Sequence, residues 1–131
     1  SGSVVDVGSL AEGIVGMGDA FHRGGRRLDA YVDLTASVHK QAFRFRCVGA
    51  ASVLWTWLVS GQLQGMLLAH NNPYDVVAGH AIAQAAGAVC TDYDGTPLTL
   101  ASAGTLAAVP GIHSELVELA SDLAAAAREQ D

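Results

Sequence analysis

Apolar residues along the chain fall into short buried runs separated by helical stripes. Residues 12–17 (EGIVGM) read as a strand that ends in a Gly18-Asp19 turn. Residues 26–39 place Leu28, Val32, Thr35 and Val38 at a helical period. Residues 43–48 (FRFRCV) alternate, with Phe43, Phe45 and Cys47 on one face and Arg44 and Arg46 on the other, as a strand does. Gly49-Ala50-Ala51 opens a helix to about Val59, and Trp55 and Trp57, two residues apart, point to nearly opposite sides of it. Such a helix is expected to be covered on more than one side. Residues 63–69 (LQGMLLA) read as a third strand, and the loop His70 to Tyr74 follows. A helix from Asp75 to about Ala86 ends at the C-cap glycine Gly87. Its small residues suit close approach to a sheet. Residues 88–92 and 105–109 are strands, separated by a Tyr93-Asp94-Gly95-Thr96-Pro97 turn signal. One closing helix carries Ile112, Leu116, Leu119 and Leu123 on one stripe, with Glu115, Glu118 and Asp122 away from it.

The order β-α-β-α-β-α-β-β-α implies an α/β fold. It predicts a mainly parallel five-stranded sheet with helices on both faces, in a single domain over residues 1–131. A length of 131 residues supports one core, and a 50% hydrophobic, 15% charged composition excludes disorder.

Charge narrows the partners. A net charge of −6 argues against a general nucleic-acid binder. Yet six of seven Lys/Arg lie between Arg23 and Arg46 (Arg23, Arg26, Arg27, Lys40, Arg44, Arg46), either a solvated face or a local site for an anion or partner. Cys47 and Cys90 lie in apolar surroundings without metal-ligand spacing, which reads as reduced core residues of a cytoplasmic protein. No signal-peptide pattern is read in these residues, and Ser1-Gly2-Ser3 is expected to be a cloning remnant or a truncation point. Cys47 to Tyr74 contains no Asp, Glu, Lys or Arg, but Ser60-Gly61-Gln62 and Gln64-Gly65 interrupt it. A buried helix and strand are expected there, with no membrane partner.

In open α/β sheets, ligands bind beyond the carboxyl ends of the strands. Three segments fall there: Gly18-Asp19, Gly49-Ala50-Ala51 and Asp75. Gly49-Ala50-Ala51 is either a plain helix start or a source of free N–H groups for hydroxyl or phosphate oxygens. Asp75 is either an N-cap or a hard-cation ligand of the kind Mg²⁺ takes. Asp19 and Asp92 are weaker candidates of the same type, more often found serving turns. His70 and His80, each five residues from Asp75, have poor spacing for zinc.

Several stretches together resemble the inositol monophosphatase family. Tyr74-Asp75-Val76-Val77-Ala78-Gly79 through Ala86-Gly87-Ala88 looks like its C-terminal signature, and Arg46-Cys47-Val48-Gly49-Ala50-Ala51 looks like its Arg-x-x-Gly-[Ser/Thr/Ala]-Ala. Thr91-Asp92-Tyr93-Asp94-Gly95-Thr96-Pro97-Leu98 and Leu106-Ala107-Ala108 through Leu116 resemble the strands and helix that follow. The resemblance covers roughly residues 10–125. It implies the second half of a layered αβαβα sandwich in a Mg²⁺-dependent phosphomonoesterase, generally a homodimer. The family's first-domain metal and phosphate motifs are missing from this sequence, so the piece alone is expected to be inactive. Asp75 would be one metal ligand. Gly49, Ala50 and Ala51 would contact the alcohol portion of a small polyol, sugar or nucleotide phosphate, with Asp19 near a polar substrate-contact position. The position at which inositol-binding members carry a substrate-contacting glutamate counts onto Leu68. A leucine accepts no hydroxyl hydrogen bond, which counts against myo-inositol phosphate. The alternative is a non-catalytic α/β binding or interaction domain of the same ancestry.

Overall fold

The computed structural model describes residues 3–20, 25–69 and 71–129; Arg23 and His70 of the sequence reading lie outside them. A short 3-10 turn, Leu10–Glu12, leads into β1 (Ile14–Met17), α1 (Arg26–Gln41), β2 (Arg44–Cys47), α2 (Ala51–Val59), β3 (Gly65–Leu68) and α3 (Pro73–Ala85). Then come β4 (Val89–Thr91), β5 (Thr105–Ala108), α4 (Pro110–Leu119) and α5 (Ser121–Glu129). The five strands lie in the order β2-β1-β3-β5-β4. β1 pairs in parallel with β2 and β3, while β5 runs antiparallel to both β3 and β4. Four strands therefore point one way and β5 alone is reversed. The reversal follows from the connection: β4 passes to β5 through a loop without a crossover helix, and a right-handed parallel return needs one.

Strand alternation divides the core in two. Val15, Met17, Leu67, Leu106 and Ala108 face a cluster with α1, α4 and α5, through Tyr31, Leu34, Ile112, Leu116 and Leu123. Met66, Leu68 and Ala107 face the opposite way, onto Leu54, Trp55 and Leu58 of α2 and Val76 and Ala83 of α3. Every residue of β3 and β5 is buried, as expected of central strands covered on both faces.

Several local expectations are corrected. The Asp75 carboxylate does not cap its helix. α3 starts two residues earlier, Asn72 is the N-cap with Oδ1 accepting from Tyr74 N at 3.0 Å, and Pro73 takes the first helical position. The other end is as read: Gly87 has φ 105°, and Ala88 N donates to Ala83 O while Gly87 N donates to Gln84 O, closing a Schellman motif. The buried stripe of α1 is Tyr31, Leu34 and Val38, with Val32 exposed. The closing helix is two helices, broken at Ala120; Leu119 is only half-buried and Ala120 takes the core position instead. β2 is an edge strand, so Phe43 and Cys47 are exposed and only Cys90 is a core thiol. On α2, Trp55 is buried while Trp57 is half-buried.

The basic cluster is largely dispersed into local contacts. Arg26 pairs with Glu129, Arg44 sits 4.2 Å from the Phe43 ring centroid, and Arg46 donates to Phe45 O. No helix among the described residues is long and apolar enough to cross a membrane.

Candidate functional site

β1, β2 and β3 are parallel neighbours, so their carboxyl ends open on the same edge of the sheet. A cleft of about 280 Å³ lies there, lined by Gly18, Asp19 and Ala20 after β1, Gly49 and Ala51 after β2, Leu68 and Ala69 at the end of β3, and Asn72 and Asp75 at the start of α3. The three segments that the sequence singled out separately thus meet in one place. Of the residues named in advance, Asp19, Gly49, Ala51, Leu68 and Asp75 line the cleft, and Ala50 does not. Ala50 is exposed and is the N-cap of α2, where its carbonyl accepts from Val53 N and Leu54 N.

Asp19 and Gly49 are close neighbours across the cleft. A Cβ built on Gly49 would fall 3.1 Å from Asp19 Oδ2, so a larger residue at position 49 would crowd the carboxylate. α2 starts without a side-chain cap because Ala50 has no acceptor to offer. Its first-turn N–H groups and positive dipole end therefore stand beside Gly49 and Ala51, a setting that favours oxygen atoms and negative charge.

Asp75 is half-buried in the first turn of α3. Because Asn72 does the capping, the Asp75 carboxylate makes no hydrogen bond or ion pair among the described residues. The signal for this was present in the sequence: Asn followed by Pro is an N-cap followed by a first helical residue, and it places Asp75 inside the helix.

Asp92 belongs to the turn. Its carboxylate accepts from Tyr93 N at 2.7 Å, Ala103 N at 2.8 Å and Gly104 N at 3.1 Å. Behind the cleft, Tyr31 donates its hydroxyl to Gly18 O at 2.9 Å and Tyr93 donates to Leu68 O. Burial raises both phenols well above the ordinary tyrosine range, so both remain donors across the physiological range. These contacts tie the two buried phenols to backbone carbonyls at the ends of β1 and β3.

The inositol monophosphatase family model matches residues 4–128. The chain belongs to that family. It is 35% identical over 88 residues to an inositol-1-monophosphatase ImpA of Mycolicibacterium smegmatis, covering 67% of this chain and 32% of that protein. It is 26% identical over 98 residues to a fructose-1,6-bisphosphatase/inositol-1-monophosphatase of Thermotoga maritima, covering 72% of this chain and 38% of that protein. Among solved structures, a Thermotoga maritima IMPase superposes with a TM-score of 0.82 at 22% identity, over 95% of this chain and 46% of that one. An Anabaena inositol monophosphatase gives 0.76 at 26% identity, over 89% and 46%. The chain therefore spans about a third of the length of the curated relatives and just under half of the solved chains.

Members of the inositol monophosphatase family are generally metal-dependent. Asp75 is a hard oxygen donor at the cleft, of the type magnesium accepts, and Mg²⁺ takes only one or two carboxylates beside water and phosphate. The fit extends to that one position: no group of three or more His, Cys, Asp or Glu suited to a metal occurs among the described residues. Among the described residues no lysine or arginine lines the cleft either.

Proposed function

We propose that this chain is the C-terminal domain of a Mg²⁺-dependent phosphomonoesterase of the inositol monophosphatase type. A companion N-terminal domain would supply the remaining metal ligands and the phosphate cradle. The observation that carries this reading is the meeting of Asp19, Gly49 and Asp75 around one cleft at the strand ends. Asp75 would hold one edge of the metal site. The chemistry a bound magnesium ion supplies in such a reaction is neutralisation of phosphate charge and a lowered pKa of bound water. The backbone at Gly49 and Ala51 would bind the alcohol portion of the substrate, a small polyol, sugar or nucleotide phosphate. Asp19 would accept its hydroxyl hydrogen bonds. Leu68 offers that portion an apolar wall and no acceptor, which disfavours myo-inositol phosphate.

Asp75 alone cannot build a multi-metal site, and among the described residues no basic side chain lines the cleft to hold a phosphate dianion. The 131-residue chain alone is therefore expected to be inactive. The test is a panel of phosphate monoesters offered to the full-length protein, with wild type compared against Asp75→Asn. Mg²⁺-dependent turnover that Asp75→Asn abolishes supports the reading, whereas turnover that survives the change overturns the role of Asp75. Turnover by the 131-residue chain itself would overturn the divided site.

A second reading, a binding or interaction domain that has lost catalysis, draws on the same sparse donor set. It predicts that the full-length protein binds phosphate esters without turning them over.

The outer side of α3 and its surroundings expose apolar residues: Tyr74 at 87%, Val77 at 58% and Ile82 at 59%. This supports self-association of the isolated chain and a homo-oligomer for the whole protein. Trp55 takes no part in such a contact because it is buried beneath α3. A concentration-independent monomer in sedimentation would count against the association.

A further inference from the structure

The chain that runs from β3 to Asp75 is tied to the residues that lead into β5. The Asn71 amide donates to Ser102 O at 3.1 Å and to Gly104 O at 3.3 Å, and Asn71 Oδ1 accepts from the Thr105 hydroxyl at 2.6 Å. The network fixes the amide orientation, since the flipped amide would set an oxygen against two carbonyls. Beside it, Nη2 of Arg27 donates to Ala69 O at 3.0 Å and to Ala103 O at 2.8 Å, bridging the same two segments. The 102–105 segment is held in turn from its far side by the Asp92 carboxylate, through Ala103 N and Gly104 N. Ala69 and Asn72, on either side of Asn71, line the cleft together with Asp75.

These contacts form a relay of fixed geometry, from Asp92 through residues 102–105 to Asn71 and Arg27, and so to Asp75. Thr105 is fully buried, and its hydroxyl is the only group given by an otherwise apolar strand to the Asn71 side chain. A stability role alone would be served as well by a hydrophobic residue at a core position. A polar set of this kind instead fixes one backbone path. The path matters here because a carboxylate displaced by about half an ångström is a poorer ligand.

We propose that Asn71, Arg27 and Thr105 are positioning residues for Asp75, fixing the reach of its carboxylate toward a divalent cation. This rests on the reading of Asp75 as a metal ligand. The three residues touch neither metal nor substrate and act through the backbone.

The test uses the full-length protein with Mn²⁺ as a paramagnetic probe of divalent-cation binding, free Mn²⁺ being read by electron paramagnetic resonance. The thermal midpoint of the metal-free protein is measured alongside. The relevant affinity is that of the site lost in Asp75→Asn. Thr105→Val keeps the volume and removes the hydroxyl; it is expected to weaken that site on the order of ten-fold, as loss of an outer partner does. Thr105→Ser restores the hydroxyl and should bind Mn²⁺ as wild type, although it lacks the methyl group and melts lower. Asn71→Ala, at a half-buried position, gives the same readout should Thr105→Val not fold. Wild-type Mn²⁺ affinity in both Thr105→Val and Asn71→Ala, with Asp75→Asn impaired, overturns the positioning role alone. Wild-type affinity in Asp75→Asn overturns the metal reading and the positioning role with it.

Discussion

Gly79 of α3 lies against the indole of Trp55 of α2: a Cβ built on Gly79 would fall 2.3 Å from Cε2 of the ring. The contact lets the two helices whose first turns flank the cleft pack closely, so it links core packing to site geometry. Alanine at position 79 would gain about 1 kcal/mol of helix propensity, but it would force a buried ring or a helix to move. We predict that Gly79→Ala lowers stability by about 2 kcal/mol net. The loss should shrink in a Trp55→Leu background, where the ring is gone, and a denaturant double-mutant cycle reads that coupling. Equal losses in both backgrounds would count against the contact as its cause.

Asn72 and Asp75 should separate stability from function. Asn72→Ala removes the N-cap and is expected to cost about 1 kcal/mol in urea unfolding. Asp75→Asn removes a charge from the first turn and should cost only about 0.3 to 0.5 kcal/mol. In the full-length enzyme the order reverses, with Asp75→Asn the more damaging to Mg²⁺-dependent turnover. A larger stability loss for Asp75→Asn than for Asn72→Ala would mean that Asp75 caps the helix after all.

His113 on α4 is half-buried, with Nε2 2.8 Å from the Thr91 hydroxyl. Burial lowers its pKa below the ordinary 6.5. The folded state therefore binds its proton less readily than the unfolded chain. Its stabilising contribution is present above about pH 6.5 and is lost as pH falls toward the lowered value. Urea midpoints should drop as pH falls below about 6.5, and His113→Gln should flatten that part of the profile. Asp94, whose pKa is lowered first by the Thr96 hydroxyl, acts in the same sense at lower pH. Its contribution fades only as pH falls below the usual carboxylate range, and its exposure keeps it small.

The two thiols should react at different times. Cys47 is exposed on the edge strand, while burial pushes the Cys90 thiol up to about 11. A disulfide reagent at pH 8 should label one thiol of the native chain quickly and the second only after denaturant is added. Cys47→Ser should abolish the fast phase, whereas a fast phase that survives this change would place Cys90 at the surface.

The order of elements was legible because it rests on local pattern. Isolated apolar runs and helical stripes gave the five strands, and Gly87 gave the end of α3 through its φ of 105°. The break at Ala120 was not legible, because apolar spacing continues through it and only packing decides which residue fills the core. The exposure of Cys47 and Phe43 was hidden for a similar reason: an alternating strand reads the same at an edge and in the centre. At the site, Asp19, Gly49 and Asp75 stood out singly, as turn and helix-start residues do. Asn71 did not, and Asp92 and Arg27 were marked only as a turn or cation candidate and as part of a basic cluster, because the role of all three lies in hydrogen bonds to backbone 11 to 76 residues away.

By itself the sequence determined the alternation of strands and helices, the strand-end location of any cleft, and the family resemblance. These depend on periodicity and short motifs, which neighbouring residues carry. The tertiary structure alone decided that β5 runs against the other strands, that Ala120 and not Leu119 fills the core, and that the Asp75 carboxylate finds no partner among the described residues at the cleft. Each is a competition between groups far apart in the chain. Such competitions are settled by which geometry satisfies the buried backbone, and the order of residues does not state it.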